Sequence, residues 1–308
     1  MHEQAQNAPM NSALHLTLKS LAALGMTLGT LCLGTGADSP PAAEALLSKK
    51  RPLIIAHRGY SAAAPENTLP SFQLAIEAGA DLVELDYHHT RDNVLTVVHD
   101  HTLDRTTDAV KRWGQKDIAV SQVTFEETRT LDASSWRGSN QPPARIPSLT
   151  EALDLIQRGS VTLIERKDGP PQDCVRLLRE RRLLNQVIVQ SFDWNYLTEY
   201  HHLEPSQILG ALGPWNTFRG EKLTDADKKL STRWIQEAVK TGARVVVWNA
   251  MVDAESVRQA HQHHLQVWIY TIDDPLVMNR LLEEGVDGII TNNPGRAWKI
   301  LAERMGRK

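Results

Sequence analysis

The chain has 308 residues, and its 34 lysines and arginines nearly balance 37 aspartates and glutamates, for a formal net charge of -3. With 41% hydrophobic and 23% charged residues, the composition excludes a disordered chain and predicts a sizeable buried core. The charge balance argues against a dedicated nucleic-acid binder, and two cysteines exclude a disulfide framework.

The amino-terminal segment differs from the rest of the chain. A weakly apolar run over residues 20–34 follows Lys19 and precedes small residues at Thr35-Gly36-Ala37. This run is shorter than the roughly 20 residues of a membrane span and is typical of a signal peptide. We therefore predict a signal peptide over 1–37, a linker over 38–52, and a periplasmic or secreted mature protein. An uncleaved membrane anchor and a disordered tail are the alternatives.

From residue 53 onward, short apolar runs alternate with amphipathic runs of helical length. The predicted strands cover 53–56, 82–85, 161–164, 187–189, 207–211, 244–248, 267–270 and 288–290. The predicted helices cover 69–78, 148–156, 172–182, 194–202, part of 222–240, 254–261, 275–283 and 295–304. An extra β-like segment lies at 94–98, and the polar stretch 105–147 interrupts the alternation as an insertion.

This alternation predicts an α/β fold, a (β/α)8 TIM barrel with a small insertion after the second strand, over residues 53–308. The chain contains neither GxGxxG nor GxxxxGK[ST], so the usual motifs of dinucleotide-binding and P-loop folds are absent from it.

Charged and polar residues follow several of the predicted strands, where the active sites of such barrels lie. They are His57, Arg58, Glu84, Asp86, His99, Glu165 and Lys167. Three carboxylates at one point favour a hard divalent cation, Ca²⁺ or Mg²⁺, and two histidines can act as acid and base. Arg58 and Lys167 supply positive charge for a phosphate group. Together these residues suggest metal-assisted hydrolysis of a phosphate ester.

Structural explanations of the same residues remain open at this point. Glu84 and Asp86 could be salt-bridge partners, and His57 could be a hydrogen-bonded core histidine. We expect His88 and His89 to be structural or surface residues, Cys174 to be buried, and five other histidines to lie on the surface. Those histidines are His101, His201, His202, His263 and His264.

Several longer stretches resemble the glycerophosphodiester phosphodiesterase family. They are His57-Arg58-Gly59, Pro65-Glu66-Asn67-Thr68, Val83-Glu84-Leu85-Asp86, Val98-His99-Asp100-His101, Gln190-Ser191-Phe192 and Gly285-Val286-Asp287-Gly288. The resemblance implies a TIM barrel that hydrolyses glycerophosphodiesters to glycerol 3-phosphate and an alcohol. It implies that His57 and His99 are the acid–base pair, and that Glu84, Asp86 and Glu165 bind the metal.

The resemblance also implies that Arg58 and Lys167 contact phosphate, with Glu66 nearby as a supporting or hydroxyl-binding residue. The chain departs from the family's usual Asn and Asp at Asp273 and Asn292. We expect these two changes to affect the pocket wall and alcohol specificity more than the chemistry.

The predicted partner is a small-molecule glycerophosphodiester, with no nucleic acid and no stable membrane partner beyond the signal segment; the oligomeric state stays open. One alternative is phospholipase-D-like hydrolysis of lysophospholipids at the same site, with Trp113 and Trp136 against the acyl chain. Another is a non-catalytic binding protein for glycerol phosphates.

Overall fold

A computed structural model describes residues 42–138 and 142–306, and within them eight parallel strands form a closed barrel. The eight strands are β1 (Leu53–Ala56), β2 (Leu82–His89), β4 (Val161–Arg166), β5 (Ile188–Ser191), β6 (Leu209–Leu212), β9 (Val245–Trp248), β10 (Gln266–Ile269) and β11 (Gly288–Thr291). Closure comes from β1, which pairs in parallel with both β2 and β11. The predicted TIM barrel is thus confirmed.

Helices surround the barrel in the order that the sequence predicts. They are α2 (Leu69–Glu77), α5 (Leu149–Ile156), α6 (Pro171–Glu180), α7 (Trp194–Leu203), α8 (Thr232–Lys240), α9 (Ala254–Gln262), α10 (Pro275–Glu284) and α11 (Pro294–Met305). The predicted capping box begins α5, where the Ser148 side chain accepts a hydrogen bond from the backbone N–H of Glu151. Before α8, the chain forms a hairpin of β7 (Thr217–Phe218) and β8 (Glu221–Lys222), so that helix begins later than residue 222.

Apolar side chains alternate between the inside and the outside of the barrel wall, as the two-residue period of a strand requires. Leu53, Ile55 and Leu82 belong to the inner cluster, whereas Ile54 and Val83 pack in the larger cluster beneath the helices. Both faces of each strand are therefore buried, which explains the near-continuous apolar runs in the sequence.

The predicted linker 38–52 is in part a structural element. Helix α1 (Ala42–Leu47) packs Ala43 and Leu46 against the inner cluster that contains Leu53 and Val161. These residues lie at the amino-terminal ends of β1 and β4, so α1 covers that end of the barrel. The small residues near Pro40 and Pro41 suggested a linker. The helix was not predicted, because its two buried side chains pack on strands that the local sequence does not reveal.

The insertion has an apolar core of its own. Strand β3 (Leu95–Val97) pairs antiparallel with β2, and the segment beyond it carries the short helices α3 (Ala109–Trp113) and α4 (Phe125–Arg129). Its core residues are Val98, Leu103, Ala109, Ile118, Val120, Val123, Leu131, Ala133 and Ile146. The Arg137 guanidinium donates to the backbone carbonyls of Ala62 and Ala64 at 3.0 and 2.9 Å, which ties the insertion to the loop after β1.

The predicted signal peptide over 1–37 lies outside the described residues and stays a prediction. Within 42–138 and 142–306, no helix has the length and apolar character needed to cross a membrane.

Candidate active site

The predicted site residues converge at the carboxyl ends of the barrel strands, around a cavity of about 290 Å³. Six of them line it, namely His57, Arg58, Glu84, His99, Glu165 and Lys167. Asp86 and Glu66 lie behind this lining and contact it through Lys167 and Arg58. Sequence spacing thus located a real cluster, because the carboxyl ends of parallel strands meet at one end of a barrel.

Three buried carboxylates form one side of the cluster. Glu84 and Asp86 point inward from β2, and Glu165 stands in register with Asp86 on neighbouring β4. One oxygen from each carboxylate lies within 4.8 Å of the others. Burial and the charges of Asp86 and Glu165 raise the pKa of Glu84 well above its usual range, and burial raises the pKa of Glu165 to about 7. Burial opposes ionisation of Asp86 too, but Lys167 and Arg58 hold its pKa well below the ordinary value.

These carboxylates fit a divalent cation. Glu84 Oε1 is buried and has no hydrogen-bond partner among the described residues. An unpartnered carboxylate oxygen in such a place is costly unless a cation or proton neutralises it. The donors are all oxygens, which is the ligand type that Ca²⁺ and Mg²⁺ prefer.

Two fixed cations offset part of this negative charge. The Lys167 ammonium lies 2.9 Å from Asp86 Oδ1 and also pairs with Glu165. Arg58 adopts a left-handed backbone conformation (φ 54°), and its N–H donates to Glu84 Oε2 at 2.8 Å. Its guanidinium donates to Glu66 Oε1 at 2.8 Å. Both cations therefore stand beside the carboxylates with their positions held by several contacts.

Glu66 lies behind Arg58. Its carboxylate accepts from Arg58 and from Arg105, at 2.8 Å in each case, and these contacts overcome burial to lower the pKa of Glu66. Because both oxygens are engaged by arginines, the geometry favours the supporting role over direct hydroxyl binding.

His57 is oriented by an amide. Its Nδ1 lies 2.8 Å from Asn292 Oδ1, and the Asn292 side-chain amide donates in turn to Asp273 Oδ2. Since the Asn292 amide nitrogen faces Asp273, the Asn292 amide oxygen faces His57 and accepts a hydrogen bond. The donor of that bond is His57 Nδ1–H. The remaining nitrogen, Nε2, then carries the lone pair. Burial and the Arg58 charge lower the pKa of His57 to about 4, so this imidazole is neutral at physiological pH.

His99 is oriented by a carboxylate. Its Nδ1 lies 2.6 Å from Asp100 Oδ1, and Arg105 donates to the other Asp100 oxygen at 2.6 Å. Burial lowers the pKa of His99, while Asp86 and the hydrogen bond to Asp100 oppose that shift. The two histidines thus have different supports, because only His99 has a carboxylate in direct contact with its ring.

The two departures at positions 273 and 292 belong to the hydrogen-bond network of His57. The expectation that they affect alcohol specificity more than the chemistry stays a prediction. Asp273 lies in the loop after β10, Asn292 directly follows the adjacent strand β11, and together they orient the ring of His57. His57 and Asn292 are 235 residues apart in the sequence, so their contact could not be predicted without the closed barrel.

Exchanging the residues at these two positions is expected to move the pH dependence of turnover. In the double variant Asp273→Asn with Asn292→Asp, a carboxylate faces His57 Nδ1 and raises the pKa of that imidazole above about 4. As the pH falls, a base with a raised pKa becomes protonated, and so inactive, sooner than a base with a low pKa does. The measurement is the ratio of kcat/KM at pH 5 to kcat/KM at pH 7.5. This ratio should be higher for the wild type than for the double variant. Identical pH profiles for the two proteins would contradict this role.

His88 has a structural position, one of the two that the sequence left open, and it supports the backbone at His99. It is buried, its Nδ1 lies 2.6 Å from Asp168 Oδ2, and its Nε2 lies 3.1 Å from the backbone oxygen of His99. Nothing in the local sequence distinguishes it from neighbouring His89, which also contacts Asp168. Among the other histidines, His202 is exposed and His201 is half-buried, with its Nδ1 buried. Cys174 is buried, as predicted.

The opposite side of the cavity is apolar. Phe192, Leu212, Tyr270 and Ile290 line it, and the Tyr270 hydroxyl donates to the carbonyl of Gly213 at 2.9 Å. Trp113 packs on the core of the insertion, and Trp136 is 39% exposed. Neither tryptophan is among the residues that line the cavity.

Comparison with known proteins shows which family the chain resembles. The profile of the glycerophosphoryl diester phosphodiesterase family matches residues 57–296. A glycerophosphodiester phosphodiesterase from Bacillus subtilis is 32% identical over 91% of this chain and 97% of its own length. A solved Silicibacter pomeroyi structure bearing the same family name is 27% identical, with a TM-score of 0.74 over 86% of this chain and 98% of that one. An Oleispira antarctica phosphodiesterase, solved with its product sn-glycerol-3-phosphate, is 24% identical with a TM-score of 0.71, covering 84% and 99%.

Proposed function

Starting from the fact that the chain belongs to the glycerophosphoryl diester phosphodiesterase family and is a phosphoric diester hydrolase, we propose how it acts. It cleaves glycerophosphodiesters to glycerol 3-phosphate and an alcohol, with the help of a divalent cation and two histidines. One observation carries this proposal: two imidazoles with fixed ring orientations line the same cavity as two cations and two members of a cluster of three buried carboxylates.

Substrate binding rests on the charged side of the cavity. Arg58 and Lys167 attract the phosphate, and Glu66 keeps the Arg58 guanidinium in place. Glu84, Asp86 and Glu165 would hold the cation, Ca²⁺ or Mg²⁺. When bound, such a cation withdraws charge from the phosphoryl oxygens and stabilises the negative charge of the transition state.

The two histidines differ in the proton each is placed to move. His57, neutral with its Nδ1–H given to Asn292, accepts a proton at Nε2 from the attacking hydroxyl as the new P–O bond forms. His99, with Asp100 stabilising its protonated form, donates a proton to the leaving alcohol oxygen as the old P–O bond breaks. The attacking hydroxyl is that of water or of the substrate's own glycerol. In the second case, a cyclic phosphate intermediate appears in phosphorus NMR.

Activity is expected to depend on an added divalent cation. Glycerol 3-phosphate released from glycerophosphocholine is measured after chelation, and again after addition of Ca²⁺ or of Mg²⁺. Chelation should reduce release to background, and at least one cation should restore it, because the carboxylate cluster repels the phosphate when no cation is bound. Full release in excess chelator would overturn the metal dependence. No release under any condition would overturn the proposed substrate.

The geometry of the site supports the two alternatives less well. The lysophospholipid reading relied on Trp113 and Trp136, and neither lines the cavity. A binding protein without catalysis has no need for two oriented imidazoles beside the carboxylates, yet this chain has His57 and His99 in that arrangement.

A further inference from the structure

Gln190 is a buried amide that the chemistry above does not use. It lies on β5 and is 1% exposed, it lines the cavity, and its Oε1 has no hydrogen-bond partner among the described residues. A buried amide oxygen without a partner destabilises the folded protein, because it has lost its hydrogen bond to water. A buried group of this kind calls for an explanation, and a ligand that supplies the missing hydrogen bond is one.

A second buried glutamine provides the contrast. Gln207 is also 1% exposed, but its amide nitrogen donates to the Val187 carbonyl at 2.7 Å and its oxygen accepts from the backbone N–H of Asn185 at 3.4 Å. Gln207 thus has a structural role that Gln190 lacks. Of these two buried glutamines, only Gln190 lines the cavity and has an unpartnered side-chain oxygen.

Gln190 stands where the charged side of the cavity meets the apolar side. On β4 its register partner is Glu165, and on β6 it is Gly210. A Cβ added at Gly210 would lie 3.1 Å from the Gln190 Cβ, so the side chain packs closely against bare backbone on that side. Leu212, two residues beyond Gly210, begins the apolar lining. A substrate that contacts both sides therefore lies beside Gln190.

The chemistry of this position selects the kind of group that it binds. An amide oxygen carries no charge, so it offers little to a phosphate, which Arg58 and Lys167 already serve. It accepts a hydrogen bond from a hydroxyl, and the adjoining apolar surface suits the carbon chain that bears such a hydroxyl.

We propose that Gln190 binds a hydroxyl of the substrate's glycerol moiety and thereby selects hydroxyl-bearing phosphodiesters over those without hydroxyls. The proposal rests on the proposed function, in which the substrate is a glycerophosphodiester. A site built to bond a hydroxyl discriminates against analogues that lack it, because its own buried polar group is then left unpaired.

The test compares Gln190→Leu with Gln207→Leu on two substrates. Gln190→Leu should lower kcat/KM for glycerophosphocholine about tenfold to a hundredfold and leave hydrolysis of bis(p-nitrophenyl) phosphate, which has no hydroxyl, nearly unchanged. Its melting temperature should be unchanged or higher, since no hydrogen bond within the protein is lost. Gln207→Leu should lower the melting temperature without changing the ratio of the two activities. An equal loss on both substrates in Gln190→Leu would overturn the proposal.

A binding measurement separates failure of this proposal from failure of the proposed function. Calorimetric titration of the cation-loaded protein with glycerol 3-phosphate and with methyl phosphate requires no turnover. Gln190→Leu should weaken the binding of glycerol 3-phosphate alone. Equal affinities in wild type and variant, or no binding to the wild type, would overturn the role of Gln190. If the wild type binds but does not hydrolyse glycerophosphocholine, the proposed reaction is wrong and the role of Gln190 stands.

Discussion

Replacing His99 by Gln is expected to reduce hydrolysis of glycerophosphocholine by about 10²- to 10⁴-fold, the usual contribution of a positioned general acid or base. Choline is a poor leaving group that needs a proton, and His99 is the imidazole held by a carboxylate, through its 2.6 Å contact with Asp100. The measurement is kcat with saturating divalent cation. The fold should persist, because the His99 side chain is about one-third exposed and contributes little to the core.

The leaving group distinguishes the roles of the two histidines. In a glycerophosphodiester of p-nitrophenol, the leaving group departs as a phenolate and needs no proton. His99→Gln should therefore recover most of its activity on that ester, whereas His57→Gln should stay inactive on both substrates, since the attacking hydroxyl still has to lose its proton. The exposed His202 provides the control, because His202→Gln should behave as wild type. Equal defects of His99→Gln on the two esters would contradict its assignment as the acid.

Replacing Glu84 by Gln is expected to abolish turnover and yet stabilise the cation-free protein. Burial, with Asp86 and Glu165 nearby, raises the pKa of Glu84 above its value in the unfolded chain. The unfolded chain therefore releases the Glu84 proton at lower pH than the folded protein does, and the folded state loses stability as the pH rises from the unfolded pKa towards the folded pKa of Glu84. The neutral amide removes this loss of stability while its oxygen can still accept from the Arg58 N–H. We expect a gain of about 1 kcal/mol, or a few degrees in Tm.

The response to cation should change in the opposite direction. At a cation concentration 100 times the dissociation constant, the wild type gains about 2.7 kcal/mol of stability, and Glu84→Gln should gain much less. Thermal unfolding with chelator, with Ca²⁺ and with Mg²⁺ measures both effects. Glu66→Gln is the matched control: Glu66 is paired with Arg58 and Arg105, so its replacement should destabilise the cation-free protein. If Glu84→Gln lowers the Tm in chelator, the like-charge argument is wrong.

The strand pattern could be predicted because strands that are buried on both faces consist of short apolar runs. Strands β1, β2 and β4 begin at the predicted residues. The order of these runs also located the cavity, since parallel strands end together. Helix α1 and the β7–β8 hairpin could not be predicted in the same way. The first is short and owes its burial to Leu53 and Val161, and the second has only two residues in each strand.

The sequence by itself determined which chemical groups stand at the strand ends: two imidazoles, three carboxylates and two cations, with spacing that turns Glu84 and Asp86 to one face. That set already indicated a hard cation and a phosphate ester. Only the tertiary structure decided what each group contacts. Closure of β11 onto β1 brings Asn292 to His57, Arg105 joins Arg58 at Glu66, and the register of β5 leaves the Gln190 oxygen without a partner. Side-chain type is local, whereas protonation state and orientation follow from neighbours that are distant in the chain.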